Sequence, residues 1–198
     1  SYFLNRINHE IFIKYDSMTG AYTRKHGLTI AKERFNIMHT NLHKITLVYM
    51  DLNGLKHIND HYGHQKGDEA IRKISQSILK NIRFRQRTYL HEWVLHKLSS
   101  NFRKHFSYRE DDIFIRLGGD EFLYMCIDVD EINIKKIEER ILHEIEKQDV
   151  DGYRLSVSAG ILVVDVKMDI DFESALNLAD KSMYDVKIEY YKQNKEFS

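Results

Sequence analysis

Apolar residues fall along the chain in blocks, some at helical spacing and some unbroken, with short polar clusters between them. Phe3, Leu4, Ile7, Ile11 and Phe12 have the spacing of a short amphipathic helix. Asp16-Ser17-Met18-Thr19-Gly20 is a turn-forming cluster able to cap a helix over Arg24 to Leu42. Ile45 to Met50 is β-branched and apolar, the pattern of a buried strand, and it ends in Asp51-Leu52-Asn53-Gly54. Gly63 and Gly67 punctuate a loop. From Asp68 onward Ala70, Ile71, Ile74, Ile78 and Ile82 return to helical spacing. Leu90, Val94, Leu98, Phe102 and Phe106 continue an i+4 stripe, with a break near Arg83 to Tyr89.

Ile113 to Leu117 and Phe122 to Ile127 read as two strands joined by a hairpin turn at Gly118-Gly119-Asp120-Glu121. Ile134, Ile137, Ile141 and Ile145 mark a helix over Ile132 to Ile145. Leu155 to Val164 is strand-like, and Phe172 to Tyr191 is a last helix. This succession implies an α/β (α+β) fold in which helices flank a sheet that contains an antiparallel hairpin.

Composition narrows the function. The 198 residues suffice for one full core, and 42% hydrophobic with 30% charged residues is ordinary for a globular domain. Lys+Arg and Asp+Glu both number 30, a balance that argues against a dedicated nucleic-acid binder. No apolar run approaches the ~18 residues of a membrane span. The single cysteine, Cys126, rules out an intramolecular disulfide and points to a reducing compartment, so a cytoplasmic domain is expected. Proline is absent, which favours long regular elements. The chain begins Ser1-Tyr2 with no signal-peptide pattern and reads as a piece of a longer protein, whose membrane anchoring is left open.

Two acidic sites lie beside glycines: Asp51 at the end of the first strand, and Asp120-Glu121 in the hairpin turn. If those strands are neighbours, three carboxylates converge, and a hard divalent cation is the usual remedy for their repulsion. Gly118 and Gly119 would let a bulky ligand approach the backbone. The plainer alternative is a solvated Gly-Gly-Asp-Glu turn.

Arg116-Leu117-Gly118-Gly119-Asp120-Glu121-Phe122 resembles the signature of GGDEF-domain diguanylate cyclases. The same family is resembled, in order, by Asp16 to Gly20, Asp51 to Asp60, Tyr62 to Asp68, Ser156 to Gly160 and Ala179 to Lys187. The resemblance implies a ferredoxin-like sheet of the nucleotidyl-cyclase and polymerase-palm type. It also implies that two GTP molecules condense into cyclic di-GMP with release of two pyrophosphates at a homodimer interface. By position, Asp51, Asp120, Glu121 and the backbone carbonyl of Leu52 look like Mg²⁺ (or Mn²⁺) ligands, with Asp120 and Glu121 also catalytic. Asn59 and Asp68 look like guanine readers; the plainer reading of Asp68 is a helix N-cap, and both roles can hold together. Lys56 and Lys187 look like phosphate contacts, and Gly118 and Gly119 line the substrate.

Arg109 and Asp112 match the family's Arg-x-x-Asp inhibitory product site. The family usually has an arginine one helical turn after the position of Lys187; here it is Tyr191, which cannot supply a guanidinium's bidentate charge. The resemblance divides the chain into an N-terminal connector helix over residues 1–15 and a GGDEF domain over 16–198, the latter with an inserted helical segment at about 83–107. That insert carries Arg83, Arg85, Arg87, Lys97, Arg103 and Lys104 against one acid, Glu92. It reads as a helix packed on its own domain, as a dimer or regulatory contact, or as a membrane-surface element. The implied partners are GTP, cyclic di-GMP, a second copy of the chain and an upstream sensor domain. A module that only binds cyclic di-GMP or GTP is the alternative.

Overall fold

A computed structural model describes residues 13–83 and 112–194. Residues 1–12 of the connector helix expected over 1–15, most of the segment 83–107 and the candidate residue Arg109 lie outside these residues.

The described chain forms β1 (Tyr22–Thr23), α1 (Arg24–Thr40), β2 (Ile45–Leu52), α2 (Leu55–Tyr62), α3 (His64–Leu79), β3 (Ile113–Arg116), β4 (Glu121–Ile127), α4 (Glu131–Glu146), the short hairpin of β5 (Asp149–Val150) and β6 (Tyr153–Arg154), β7 (Val157–Val164) and α5 (Phe172–Gln193). Five strands make one sheet in the order β1-β3-β4-β2-β7. β2 is antiparallel to both β4 and β7, β3 is antiparallel to β4, and β1 joins β3 in parallel. The long strands thus run β3-β4-β2-β7 with two helical crossovers, the ferredoxin-like arrangement that the family resemblance implies.

All eight residues of β2 are buried because helices cover both faces of the sheet. Side chains alternate along a strand, so β2 feeds two cores. Val48, Met50 and Leu52 join Phe122 and Tyr124 beneath α3 and α4. Ile45, Leu47 and Tyr49 join Leu123 and Met125 beneath α1 and α5. Asp51 continues the Tyr49 row, which sends its carboxylate toward α5. Asp130 and Asp171 cap α4 and α5, each accepting from the amide three residues on at 2.7 Å.

The sequence reading needs correction between β2 and α3. The stretch expected to be a loop holds α2, and α3 begins at His64 with Gly63 as its N-cap. Gly63, at φ 87°, is the break between the two helices, while Gly67 lies inside α3. Asp68 therefore sits in the second turn of α3 and is not its cap. The last strand starts at Val157, not Leu155, and the β5–β6 hairpin precedes it.

Candidate active site

β2 ends against the turn that joins β3 to β4. Asp51 is paired in register with Glu121 on one side and Ser158 on the other, and the Leu52 amide donates to the Asp120 carbonyl at 3.1 Å. The two acidic sites read from the sequence are thus adjacent. Asp51 is buried, and Lys187 reaches it from α5, with Nζ 2.6 Å from Oδ1. Burial pushes the Asp51 carboxyl up to about 6; the charges of Asp120 and Glu121 add to the rise and Lys187 opposes it. Burial alone would lower Lys187, but its bond to Asp51 and the carboxylate's charge hold it above the usual lysine value.

The Gly-Gly-Asp-Glu turn is braced from below. Arg116 donates Nε to the Gly118 carbonyl at 3.1 Å and Nη2 to the Gly119 carbonyl at 2.8 Å. Its Nη1 lies 3.2 Å from both carboxylate oxygens of Asp16. Asp16 in turn accepts from the amide and hydroxyl of Thr19, at 2.9 and 2.7 Å. Burial would raise the Asp16 carboxyl, but the Thr19 bonds and the Arg116 charge outweigh it, so the net shift is downward. The Asp16–Gly20 cluster, read from the sequence as a helix cap, buttresses this turn instead. Thr23 is the residue at the N-cap of α1, and it makes no side-chain capping bond.

Asn53 locks the other side. Its Oδ1 accepts from the Ser158 hydroxyl at 2.8 Å, and its amide donates to the Ser156 carbonyl at 2.9 Å. Gly54 follows at φ 72° and begins α2, with its amide directed to the Tyr191 hydroxyl at 3.1 Å. On α2, Lys56 is exposed, and Asn59 packs its side-chain oxygen against Gly67, the residue before Asp68. A side chain at position 67 would collide with Asn59. The two candidate base readers therefore stand at one α2–α3 junction.

Asp112 is also buried. It takes hydrogen bonds from the Arg83 amide at 2.9 Å, from Arg83 Nη2 at 3.0 Å and from the Tyr124 hydroxyl at 2.9 Å. Its expected partner in an inhibitory site, Arg109, lies outside the described residues.

Three contributors escaped the sequence reading. Tyr49 lies close to the Glu121 side chain, and burial with the nearby Glu121 and Asp180 charges pushes its phenol up. The signal was there: a polar tip two residues before Asp51, on the same face of an apolar strand. The Arg116–Asp16 brace and the Tyr191–Gly54 bond join residues too far apart for any local pattern to show.

The donors offered are carboxylate oxygens and a strand-end carbonyl, a hard-oxygen set that suits Mg²⁺ or Mn²⁺. Among the described residues, no three His, Cys, Asp or Glu side chains already converge as a metal-holding group, and Lys187 is the cation on Asp51. The fit rests on Asp51: a carboxylate raised chiefly by burial, and further by two neighbouring carboxylates, gains most from a cation.

Comparison with known proteins places this geometry. The chain is 30% identical over 176 residues to the Escherichia coli protein named diguanylate cyclase DgcP, covering 87% of this chain and 44% of that protein. It is 25% identical over 172 residues to E. coli diguanylate cyclase DosC, covering 85% and 32%. The chain thus spans less than half the length of these curated relatives. Among solved structures, the coiled coil and GGDEF domain of Caulobacter crescentus DgcB in complex with c-di-GMP matches with a TM-score of 0.71 at 17% identity, over 95% of this chain and 86% of that one. The FimX GGDEF domain of Pseudomonas aeruginosa matches at 0.68 and 17%, over 89% and 94%. These neighbours share the nucleotidyl-cyclase palm fold. The family model described as "Diguanylate cyclase, GGDEF domain" matches residues 13–89 and 92–193, so the chain belongs to the GGDEF family.

Proposed function

We propose that this chain is the catalytic domain of a diguanylate cyclase, condensing two GTP molecules into cyclic di-GMP and two pyrophosphates. The observation that carries the reading is the meeting of buried Asp51 with Glu121 across the β2–β4 register, beside an intact Gly118-Gly119-Asp120-Glu121 turn. Asp51, Asp120, Glu121 and the Leu52 carbonyl would hold Mg²⁺ or Mn²⁺. When bound, such an ion neutralises charge developing on the phosphates and lowers the pKa of a coordinated hydroxyl. Lys187 and Lys56 offer cations to the phosphates. Asn59 and Asp68 read guanine, whose N1–H and exocyclic amine suit a carboxylate acceptor as adenine does not. In each half-reaction a ribose 3′-oxygen bonds to the α-phosphorus of the opposite GTP. The bond to pyrophosphate breaks, and the hydroxyl proton is released to a nearby base.

Each domain holds one GTP, so the reaction needs two domains face to face, and a homodimer follows. The remainder of the longer relatives leaves room for an upstream sensor, and the domain belongs in the cytoplasm, where GTP is found. No helix among the described residues is long and apolar enough to cross a membrane. Product restraint through Arg109 and Asp112 belongs to the same proposal. Tyr191, where the family usually has arginine, favours the second reading, a weak or inactive domain that binds GTP or cyclic di-GMP for regulation.

The test is incubation of the chain with GTP and Mg²⁺ at high protein concentration, with cyclic di-GMP measured by mass spectrometry. Product that vanishes with EDTA and in Asp120→Ala supports the cyclase. No product from a sample shown to be dimeric supports the binding module.

A further inference from the structure

α2 carries His57 and His61 four positions apart, so both rings lie on one face of the helix, one turn from each other. Their centroids are 3.9 Å apart, and their planes differ by 25°. Asn59 is two positions from each, on the opposite face, so the pair stands away from the α2–α3 junction described above. His61 is exposed and His57 half-buried.

Both rings are held in place. His61 Nδ1 lies 3.0 Å from the His57 carbonyl oxygen, and a carbonyl only accepts, so Nδ1 bears the proton and donates. In the neutral ring the lone pair is then on Nε2, the tautomer that a metal ligand needs. His57 stacks on Tyr153 of β6, at 5.2 Å between centroids and 27° between planes, which fixes the plane of its ring. Aromatic rings do not favour meeting face to face, because like faces repel. Two imidazoles four apart on a helix have a use for that arrangement, since their nitrogens can converge on one ion.

We propose that His57 and His61 chelate a borderline divalent transition-metal ion of the Zn²⁺ class, with water completing its coordination. The pair differs in chemistry from the carboxylate set at Asp51: hard Mg²⁺ takes oxygen, whereas imidazole suits Zn²⁺. It does not depend on the nucleotide-site reading. α2 has eight residues, no side-chain cap and a glycine of positive φ at each end. So short a helix is marginal on its own. An ion bridging successive turns braces the helix that also carries Lys56 and Asn59.

The experiment titrates Zn²⁺ into the full 198-residue chain and into its His57→Gln, His61→Gln and doubly substituted variants, with Mg²⁺ in large excess. Mg²⁺ competes for oxygen ligands and not for imidazole. Glutamine is a good helix former, so the variants keep α2. Calorimetry gives the affinity, and nitrogen NMR of the rings identifies the ligands among the eleven histidines. In the wild type the tightest Zn²⁺ should shift the ring nitrogens of His57 and His61 and slow hydrogen exchange of the α2 amides. Each single variant should bind on the order of a hundredfold more weakly, the gain lost when a chelate opens. The double variant should be scarcely worse than either. Equal affinity in the wild type and a single variant would overturn the site. So would shifts confined to other histidines, or a wild type that binds no Zn²⁺. Variants that lose stability with Zn²⁺ affinity unchanged would show that the rings only pack.

Discussion

Lys187 Nζ lies 2.6 Å from Oδ1 of Asp51, so the last helix delivers a cation to the carboxylate at the end of the central strand. Asp51 is pushed up to about 6 chiefly by burial, with Lys187 opposing the rise. A carboxyl raised in the folded state makes folding less favourable as pH climbs from its unfolded value toward 6. A divalent cation held at Asp51, as proposed, would compete with a proton below pH 6 and with the Lys187 ammonium above it. Mn²⁺ affinity, followed by EPR of the free ion, should therefore fall about tenfold per pH unit below 6 and level off above it. Lys187→Met removes the opposing charge and should move the midpoint upward. A flat profile between pH 5 and 7, or an unmoved midpoint, would remove Asp51 from the metal site.

Legibility in the sequence followed the range of the interactions. β2 was plain because Ile45 to Met50 are all apolar and both sheet faces are covered. The β3–β4 hairpin was plain because apolar runs flank Gly118-Gly119. α2 was not: it is eight residues long, buries only Ile58 fully and lies between glycines of positive φ, too short for a periodicity to register. Asp51 and the hairpin acids were visible as candidates, yet their adjacency depends on the strand order. The Asp51–Lys187 and Gly54–Tyr191 contacts span 136 and 137 positions. Family resemblance put Lys187 near the phosphates but said nothing of Tyr191 beyond its departure from arginine.

The two turn glycines should separate folding from chemistry. A Cβ on Gly118 would meet Glu121 Oε2 at 2.8 Å, the free end of a flexible side chain, whereas one on Gly119 would meet nothing within 4 Å. Neither glycine has positive φ, so alanine carries no backbone strain at either position. Gly118→Ala should keep the urea-unfolding stability within ~0.5 kcal/mol while displacing Glu121. Its turnover should drop on the order of a hundredfold, the effect of a misplacement near 1 Å. A variant as active as wild type would show that the Glu121 position is immaterial to the reaction.

Gly160 should behave in the opposite way. It sits on β7 against α5, where an added Cβ would collide with the Met183 amide nitrogen and come within 2.5 Å of the Ala179 carbonyl oxygen and 2.7 Å of Met183 Cα. These are backbone atoms of a long helix and cannot turn aside as a side-chain tip can. Gly160→Ala should cost about 2 to 3 kcal/mol in urea unfolding, as overpacking does. It should also lift α5, and with it Lys187, from Asp51. Unchanged stability would mean that the helix rides more loosely on the sheet than this contact requires.

Asp112 is the buried carboxylate that no catalytic step uses. Only 4% of it is exposed, and it bonds Arg83 and the Tyr124 hydroxyl, tying the end of α3 to β4 beneath the sheet. Arg83 is half-exposed, so its charge is partly screened, and the fully buried Tyr124 hydroxyl is the drier of the two bonds. Tyr124→Phe leaves a buried charged acceptor short of one donor and should cost about 1.5 to 3 kcal/mol. The cost should shrink when Asp112 is also changed to Asn, because the stranded charge is then gone. A double-mutant cycle in urea measures this directly. Additive single and double changes would show that Tyr124 and Asp112 stabilise the fold independently, and the buried clasp would lose its role.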